Sequence, residues 1–436
     1  MSQPDQTGLV RAIGRWSLVA LIVNSIIGSG IFGLPSVVAG LVGTASVWAV
    51  LAAGGAIGII MACFAELASQ FTEAGGPYLY ARAAFGRLMG IETGWMLWLS
   101  QLAAPAANAN LFVIYLAEFW PAVRTPVPRF LILTLLIGIL TLINYRGVRA
   151  GTEVSNVFTI AKLVTLAIVI AGGTVYFFST HAGLHAPAPM ANPNDWPKAI
   201  LLLLFSYGGF ETALTPMSEA KDPRRDAVFG LFAALLTCTL VYTLIQWVVV
   251  GVLPDPAHSE RPLADVVRLF LGSKGARLIA IGALVSVYGY LSAKILAVPR
   301  ITYALAERGD FPRLFGAVHP RFHTPYFSIL VFAVVAWLLA IFGSFAWNVT
   351  LSALARLFYY GIGCAALPVL RRKQPGAALF RLPAGNVFSV AGIVICLVLV
   401  TRVDLSGSLI LLATIGAALL NWAWVRNRRE TEIGVP

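Results

Sequence analysis

The chain has 436 residues, of which 58% are hydrophobic and only 11% are charged, and its mean hydropathy is +0.82. Soluble domains carry about 25% charged residues, so this composition excludes a soluble protein and indicates a polytopic membrane protein. The formal net charge of +12 does not indicate nucleic-acid binding, because the basic residues fall in short clusters between apolar runs.

Twelve apolar runs of about 20 residues are long enough to cross a bilayer as helices. They lie at 17–42, 46–67, 87–117, 128–145, 154–178, 197–218, 227–252, 276–303, 325–343, 347–368, 385–403 and 406–425. Most of the 31 lysine and arginine residues lie on one side of these runs, so the positive-inside rule predicts two cytoplasmic tails, 1–16 and 426–436. We therefore predict an all-α protein of the inner (cytoplasmic) membrane.

Glycine-rich stretches interrupt the first and the sixth run, at 28–32 and 207–211. Unpaired backbone groups cost several kcal/mol each in lipid, so such a break survives only where it is buried in protein or lines a wet cavity. Interrupted helices at corresponding positions indicate a binding site at the membrane midplane, where freed N–H groups suit a carboxylate and freed carbonyls suit an ammonium. The alternative is that these glycines only allow close helix packing.

The interrupted runs are five spans apart, which predicts two structural repeats, 17–178 and 197–368. Because five is odd, the second repeat enters the membrane from the opposite face, and the topology is inverted. The last two spans, 385–425, are then an appendage.

Lys162 lies at roughly 15 Å from the cytoplasmic end of span five, the middle of the hydrocarbon core. A charge at this depth costs at least about 2.5 kcal/mol, so the side chain is expected to face the protein interior. Removal from water disfavours the charged form of a lysine, which makes Lys162 a candidate for loading and releasing a proton. The alternative is a fixed ammonium that satisfies unwound carbonyls.

Lys294 shares a face of span eight with Tyr290 and lies too deep to reach an interface easily. Glu211 is the one acidic residue deep in a span; it is a candidate for pairing with one of the lysines or for gating. Arg356 is interpreted as one half of an inter-helix ion pair. If Glu211 neutralises Lys294, small or aliphatic amino acids are the expected substrates. If not, the pocket repels cations and tolerates acidic side chains. We favour neutral amino acids, then glutamate or aspartate.

The five histidines all fall in predicted loops, and the four cysteines have no paired spacing, so we expect no metal and no cofactor. Neither a Gly-x-Ser-x-Gly nor a His-Glu-x-x-His motif occurs, and we predict that the protein is not an enzyme and has no catalytic residues. The expected partners are a small-molecule substrate, protons and the lipid bilayer, with no nucleic acid and no obligate protein partner.

Several motifs of the first ten spans resemble those of the amino acid/polyamine/organocation superfamily of permeases. They are Gly28 to Phe32 with Pro35, Phe64 to Ala68 with Ala74 to Tyr78, Gly209 to Glu211 with Glu219 and Asp222 to Arg225, Pro299 to Gly309, and Thr324-Pro325. Thr72 departs from the pattern, since family members often have proline there. The resemblance implies the LeuT-type fold of five plus five inverted helices with two extra helices, and secondary transport of amino acids by alternating access.

The resemblance also implies roles for individual residues. The substrate-binding set that it implies is Ile27, Gly28, Ser29, Gly30, Ile31, Phe205, Ser206, Gly208 and Lys294. Phe205 would close over the substrate as an aromatic gate, and the carbonyls of Phe205 and Ser206 would complete the amine site. Lys162 matches a lysine of proton-coupled and exchanger members, its ammonium standing where sodium-coupled relatives bind an ion. Lys294 falls where some members place a large aromatic residue.

These observations predict a proton-coupled symporter or an exchanger of amino acids. A sodium-driven symporter of the same fold is the nearest alternative, and Lys162 disfavours it because an ammonium and Na⁺ repel each other within one site. An alternative from another class is a nutrient sensor that binds amino acids without transporting them.

Overall fold

The computed structural model describes residues 15–71, 75–147, 152–180, 192, 195–213, 223–402 and 405–433. All regular secondary structure in these residues is helical, with fifteen α-helices and a few short 3₁₀ turns. The α-helices are Arg15–Ile26 (α1), Gly30–Val42 (α2), Ser46–Gln70 (α3), Gly76–Phe85 (α4), Arg87–Leu116 (α5), Pro126–Tyr145 (α6), Thr152–Ser179 (α7), Asp195–Tyr207 (α8), Phe210–Ala213 (α9), Pro223–Val252 (α10), Pro262–Glu307 (α11), Tyr326–Phe342 (α12), Phe345–Lys373 (α13), Gly385–Val400 (α14) and Leu405–Ile433 (α15).

Some of the residues used in the sequence analysis lie outside the described ones. They are residues 1–14 of the predicted cytoplasmic tail, Thr72 and Ala74, the segment 214–222 with Glu219 and Asp222, and residues 434–436.

Eight helical stretches among the described residues are long and apolar enough to cross a membrane. One of them, Gly30–Gln70, joins α2 and α3 through a 3₁₀ turn. The helices α12 and α14 are apolar but have only 17 and 16 residues. The 46 residues of α11 exceed the length of one span; the helix bends at Gly272, where φ is +63° and a glycine is favoured. The protein is therefore a multi-pass membrane protein, and the number of twelve spans stays a prediction.

The bundle has a buried centre and an apolar outer surface. On α6, Leu131, Leu135 and Ile139 are about half exposed and lie one turn apart, so they form an apolar stripe facing outward. In contrast, α5 is buried along most of its length, where it packs against α13 and α11. Apolar side chains thus point to lipid, while buried polar groups lie among the central helices.

A cluster of polar side chains around Asp310 lies at the end of α11. The fully buried carboxylate of Asp310 accepts hydrogen bonds from Arg82 and Arg87, each at 2.7 Å, and from the Tyr78 hydroxyl. Burial and the nearby Asp310 raise the pKa of Tyr78, so its hydroxyl stays protonated and donates. The Asn421 side chain donates to the Asp310 carbonyl at 2.8 Å. The cluster connects α4, α5 and α15 to the end of α11.

Candidate functional site

Two helix interruptions lie against each other in the bundle. The first separates α1 from α2 at residues 27–29, and the second separates α8 from α9 at residues 208–209, where the sequence predicted both breaks. A β-carbon added at Gly30 would lie 2.2 Å from Ser206 Oγ and 3.0 Å from its Cα. One added at Gly209, whose φ is +116°, would lie 2.3 Å from the Ser25 carbonyl oxygen. Both glycines therefore serve the close packing of the two breaks.

Gly28 has a different environment from Gly30. The nearest neighbour of a β-carbon at Gly28 would be the Tyr290 ring at 3.8 Å, an ordinary van der Waals distance. Gly28 keeps part of its surface accessible, whereas Ile27, Ser29, Gly30 and Ile31 are buried. The Ser29 hydroxyl is buried and has no hydrogen-bond partner among the described residues. The open side of the first break is therefore the side of Gly28.

The ammonium group of Lys162 binds the carbonyl end of α1. It donates to the Ile27 carbonyl oxygen at 2.6 Å, to Asn24 Oδ1 at 2.9 Å and to the Asn24 carbonyl oxygen at 3.4 Å. The side chain is 5% exposed. The last carbonyls of a helix have no intrahelical partner and carry partial negative charge, so a cation there is well placed.

Tyr242 on α10 joins the two breaks. Its hydroxyl lies 3.0 Å from the Ile26 carbonyl oxygen and 2.9 Å from the Ser206 carbonyl oxygen. The side chain is buried, so these contacts are not shared with bulk water. Its single hydroxyl hydrogen can donate to one of these two carbonyls at a time, and the side chain thus links the end of α1 to the end of α8.

Glu211 lies immediately after the second break and is completely buried. Its carboxylate accepts hydrogen bonds from the Gly209 N–H at 2.9 Å, from Tyr359 at 2.8 Å and from Tyr360 at 3.1 Å. Its ion-pair partner is Arg356, with Nε 3.9 Å from Oε1. The expected inter-helix ion pair of Arg356 is therefore present, but the partner of Glu211 is this arginine on α13 and not one of the two lysines.

Arg356 also contacts the end of α8. It donates to Ser100 Oγ at 3.1 Å and to the Phe205 carbonyl oxygen at 3.3 Å, and its guanidinium lies 5.5 Å from the centre of the Phe205 ring. A β-carbon at Gly208 would lie 1.0 Å from a guanidinium nitrogen. Gly208 is therefore covered by Arg356, and Phe205 is only 6% exposed.

Lys294 lies beside Tyr290, the residue whose ring is nearest to Gly28. Its ammonium donates to Gln101 Oε1 at 2.9 Å and lies 5.4 Å from the centre of the Tyr290 ring. Lys294 and Tyr290 both keep part of their surface accessible, whereas Gln101 is 1% exposed. The Nε2 atom of Gln101 has no hydrogen-bond partner in the described part of the chain.

A cavity of about 610 Å³ begins one turn beyond the first break. It is bordered by Gly33 on α2 and by Phe345 at the start of α13, and Asn110, Arg129 and Glu260 form part of its polar wall. A β-carbon at Gly33 would lie 2.6 Å from the Phe345 ring, so this ring packs closely against α2 at the edge of the cavity.

The structure brings the predicted residues of spans one, five, six and eight into one region, and it adds residues that sequence analysis missed. Asn24 and Gln101 are polar residues within apolar runs, a signal that could have identified them. Tyr242 has no such signal, since a tyrosine in an apolar helix is common. Its role follows only from the packing of α10 against α1.

Comparisons with known proteins agree with this architecture. The family profile described as amino acid permease matches residues 13–425. The methylthioribose transporter of Bacillus subtilis is 29% identical over 420 residues, covering 91% of this chain and 89% of that protein. The branched-chain amino acid permease BcaP of the same organism is 26% identical, covering 91% and 88%. Its serine/threonine exchanger SteT is 26% identical, covering 85% and 86%.

The family match and the transporter relatives indicate that the protein is a membrane transporter and not an enzyme. The chain belongs to the amino acid permease family, because the family profile covers nearly its whole length. The three relatives carry names with different substrates, so family membership does not specify which molecule is transported.

Proposed function

We propose that this permease is a secondary active transporter that carries amino acids by alternating access, as a proton symporter or an exchanger. The observation that carries the proposal is the contact between the two helix breaks, with the N-terminus of α2 and the carbonyl ends of α1 and α8 facing one region. Helix N-termini attract a carboxylate and helix C-termini attract an ammonium, so backbone groups alone suit a zwitterion.

The proposed binding residues are the backbone from Ile27 to Ile31 and the carbonyls of Phe205 and Ser206. These two carbonyls already accept hydrogen bonds, from Arg356 and Tyr242 respectively. Each oxygen has a second lone pair, so it can still accept from a substrate amine. The unpartnered Ser29 hydroxyl supports a ligand beside the first break.

The Phe205 ring is proposed to be a gate at the second break, and Gly208 is proposed to form the bend in the backbone next to it. The Phe205 ring lies at the end of α8, next to both the break and the Arg356 guanidinium. Movement of this ring would open or close the region beside Ser206. Glu211 and Arg356 would hold the break in place while the ring moves.

Lys162 supports coupling to protons or exchange over coupling to sodium. Its ammonium engages the oxygen atoms of Asn24 and Ile27 that a sodium ion would need. A second cation at the same oxygens would meet strong repulsion in this buried position. Loss of the proton would free these carbonyls, which links the protonation state of Lys162 to the conformation of the break.

The twelve-span architecture with inverted repeats is part of this proposal. Helix packing supports it, because a contact between two spans recurs between their counterparts five spans away. In the first case, α1 of span one packs on α10 of span seven, and α8 of span six packs on α3 of span two. In the second, α5 of span three packs on α13 of span ten, and α11 of span eight packs on α7 of span five. The repeats would be 17–178 and 197–368, with 385–425 appended and both tails in the cytoplasm.

Transport by purified protein in liposomes tests the proposal. A thermal-shift screen against all amino acids first identifies a ligand, since one present at 100 times its Kd adds about 2.7 kcal/mol of stability. We expect this ligand to accumulate under an inward pH gradient or to exchange with internal substrate, without sodium. Accumulation driven by sodium alone would support the sodium symporter. A ligand that binds but is neither accumulated nor exchanged would identify a sensor.

A further inference from the structure

We infer that the preferred substrates are acidic amino acids, whose side-chain carboxylate binds between Lys294 and Gln101. This inference rests on the proposed function and specifies the side-chain end of the same site. It differs from the preference for neutral amino acids that the sequence alone favours, and the reason is the partner that Glu211 has in the structure.

The contact with Lys294 fixes the orientation of the Gln101 side chain. An ammonium has no acceptor, so the amide oxygen of Gln101 is the atom that faces Lys294, at 2.9 Å. The amide NH₂ group must then be Nε2, which is buried and has no partner among the described residues. Buried donors are normally satisfied, and an unpaired one costs about 1 to 3 kcal/mol. The free donor indicates an acceptor supplied by a ligand.

Lys294 and Gln101 together present more hydrogen-bond donors than acceptors. The Lys294 ammonium has three N–H groups, and Gln101 engages one of them in the described part of the chain. Together with Gln101 Nε2, the pair therefore offers several donors and no free acceptor beyond the second lone pair of the amide oxygen. A carboxylate, which only accepts and has two oxygens, matches this set better than a hydroxyl or an amide.

The charge of Glu211 is compensated by other groups. Its carboxylate is engaged by Arg356, Tyr359, Tyr360 and the Gly209 N–H, and it forms no ion pair with Lys294 among the described residues. In the described part of the chain, the direct contacts of the Lys294 ammonium are the neutral amide of Gln101 and the Tyr290 ring. A partly buried ammonium with neutral contacts is stabilised by an anion and repels a second cation.

The Tyr290 ring lies near both Gly28 and Lys294. A β-carbon at Gly28 would lie 3.8 Å from the ring and the Lys294 ammonium lies 5.4 Å from its centre, and Tyr290 and Lys294 lie one helical turn apart, roughly 6 Å along α11. A substrate whose α-carboxylate and amine bind the first break would extend its side chain across Tyr290. A side chain of the length of aspartate or glutamate then ends beside Lys294.

The test compares isosteric pairs in wild-type protein in liposomes. L-glutamate against L-glutamine and L-aspartate against L-asparagine are measured as competitors for uptake or exchange, with L-leucine and L-arginine as further competitors. We expect each acid to compete at roughly tenfold lower concentration than its amide, and L-arginine to compete worst. Uptake of amino acids with no advantage for the acids would overturn this inference and leave the proposed function standing. Absence of any amino acid uptake or exchange would overturn both.

Two variants test the assigned residues. Lys294→Met should remove the advantage of glutamate over glutamine, whereas Lys274→Met, on an exposed lysine of the same helix, should leave it unchanged. Gln101→Glu gives Lys294 an internal carboxylate of the same shape and should also remove the advantage of glutamate over glutamine in competition. An unchanged glutamate-to-glutamine ratio in either site variant would overturn the role of this pair. If Lys294→Met does not fold, the ratio in Gln101→Glu and in the wild type still decides.

Discussion

The Lys162 ammonium on α7 lies 2.6 Å from the Ile27 carbonyl oxygen, at the residue where α1 gives way to the first break. The same ammonium also donates to the side-chain oxygen and to the carbonyl oxygen of Asn24. A single buried cation thus stabilises the carbonyl end of one interrupted helix from a neighbouring helix. Any change in its charge acts directly on the backbone proposed to bind the substrate.

Lys162→Met is expected to abolish accumulation of substrate under a pH gradient. Methionine has a similar length but cannot bind a proton, and it leaves the Ile27 and Asn24 oxygens without their donor. Exchange of internal for external substrate should persist at a reduced rate if the break still forms. Uptake and exchange in the same liposomes separate these two effects.

The matched control for this variant is Lys198→Met, which alters a half-exposed lysine on α8. It should behave like the wild type in both assays. Retention of pH-driven accumulation by Lys162→Met would show that protons enter the cycle at a different group.

Gly28 and Gly30 are expected to respond differently to a small side chain. Gly28→Ala has room beside Tyr290, so the variant should fold with wild-type stability but bind substrate more weakly, because a methyl group covers the backbone on the open side. Gly30→Ala should lower the melting temperature, since its methyl group would collide with the Ser206 backbone. Thermal unfolding and ligand titration of both variants provide the measurement.

Gly55→Ala is the control for both glycine variants. No atom lies within 4 Å of a β-carbon at this exposed position on α3, and alanine is a better helix former than glycine. Its stability should equal or exceed that of the wild type. Full substrate affinity in a folded Gly28→Ala variant would argue against backbone binding at the first break.

The breaks and the buried lysines could be predicted from the sequence because each violates the rule for an apolar span. Glycines interrupt the apolar runs at Gly28 and Gly208, and Lys162 places a charged side chain at the membrane midplane, where an apolar one is expected. The contacts between helices could not be predicted in this way. Glu211 lies at similar depth to several cations, and only the packing of α13 against α8 decides that its partner is Arg356.

The different roles of Gly28 and Gly30 could likewise not be predicted from the sequence. The motif alone suggests that a β-branched residue at Gly30 would block binding in a folded protein. In the structure Gly30 contacts Ser206, so such a variant also disturbs the packing of the breaks, and Gly28 is the better probe of binding.

The ion pair between Glu211 and Arg356 is expected to be essential for folding of the second break. Glu211→Gln leaves the fully buried arginine without its carboxylate, and removing one partner of a buried pair costs about 3 to 5 kcal/mol. The double variant Glu211→Gln with Arg356→Met removes both charges and should recover part of this loss. Melting temperatures of the two single variants and the double variant give the coupling. Additive losses would contradict a direct pair.

Asp310→Asn is expected to destabilise the polar cluster at the end of α11. The amide replaces one acceptor oxygen with a donor, which faces the guanidinium groups of Arg82 and Arg87 and the Tyr78 hydroxyl instead of accepting from them. Three buried or partly buried donors then compete for one oxygen, so the variant should melt below the wild type and expose this end of the bundle to protease. Asp255→Asn, at an exposed aspartate bound to His258, is the control and should melt like the wild type. Equal protease resistance of Asp310→Asn and the wild type would show that the aromatic residues around Phe311 suffice to keep these helix ends packed together.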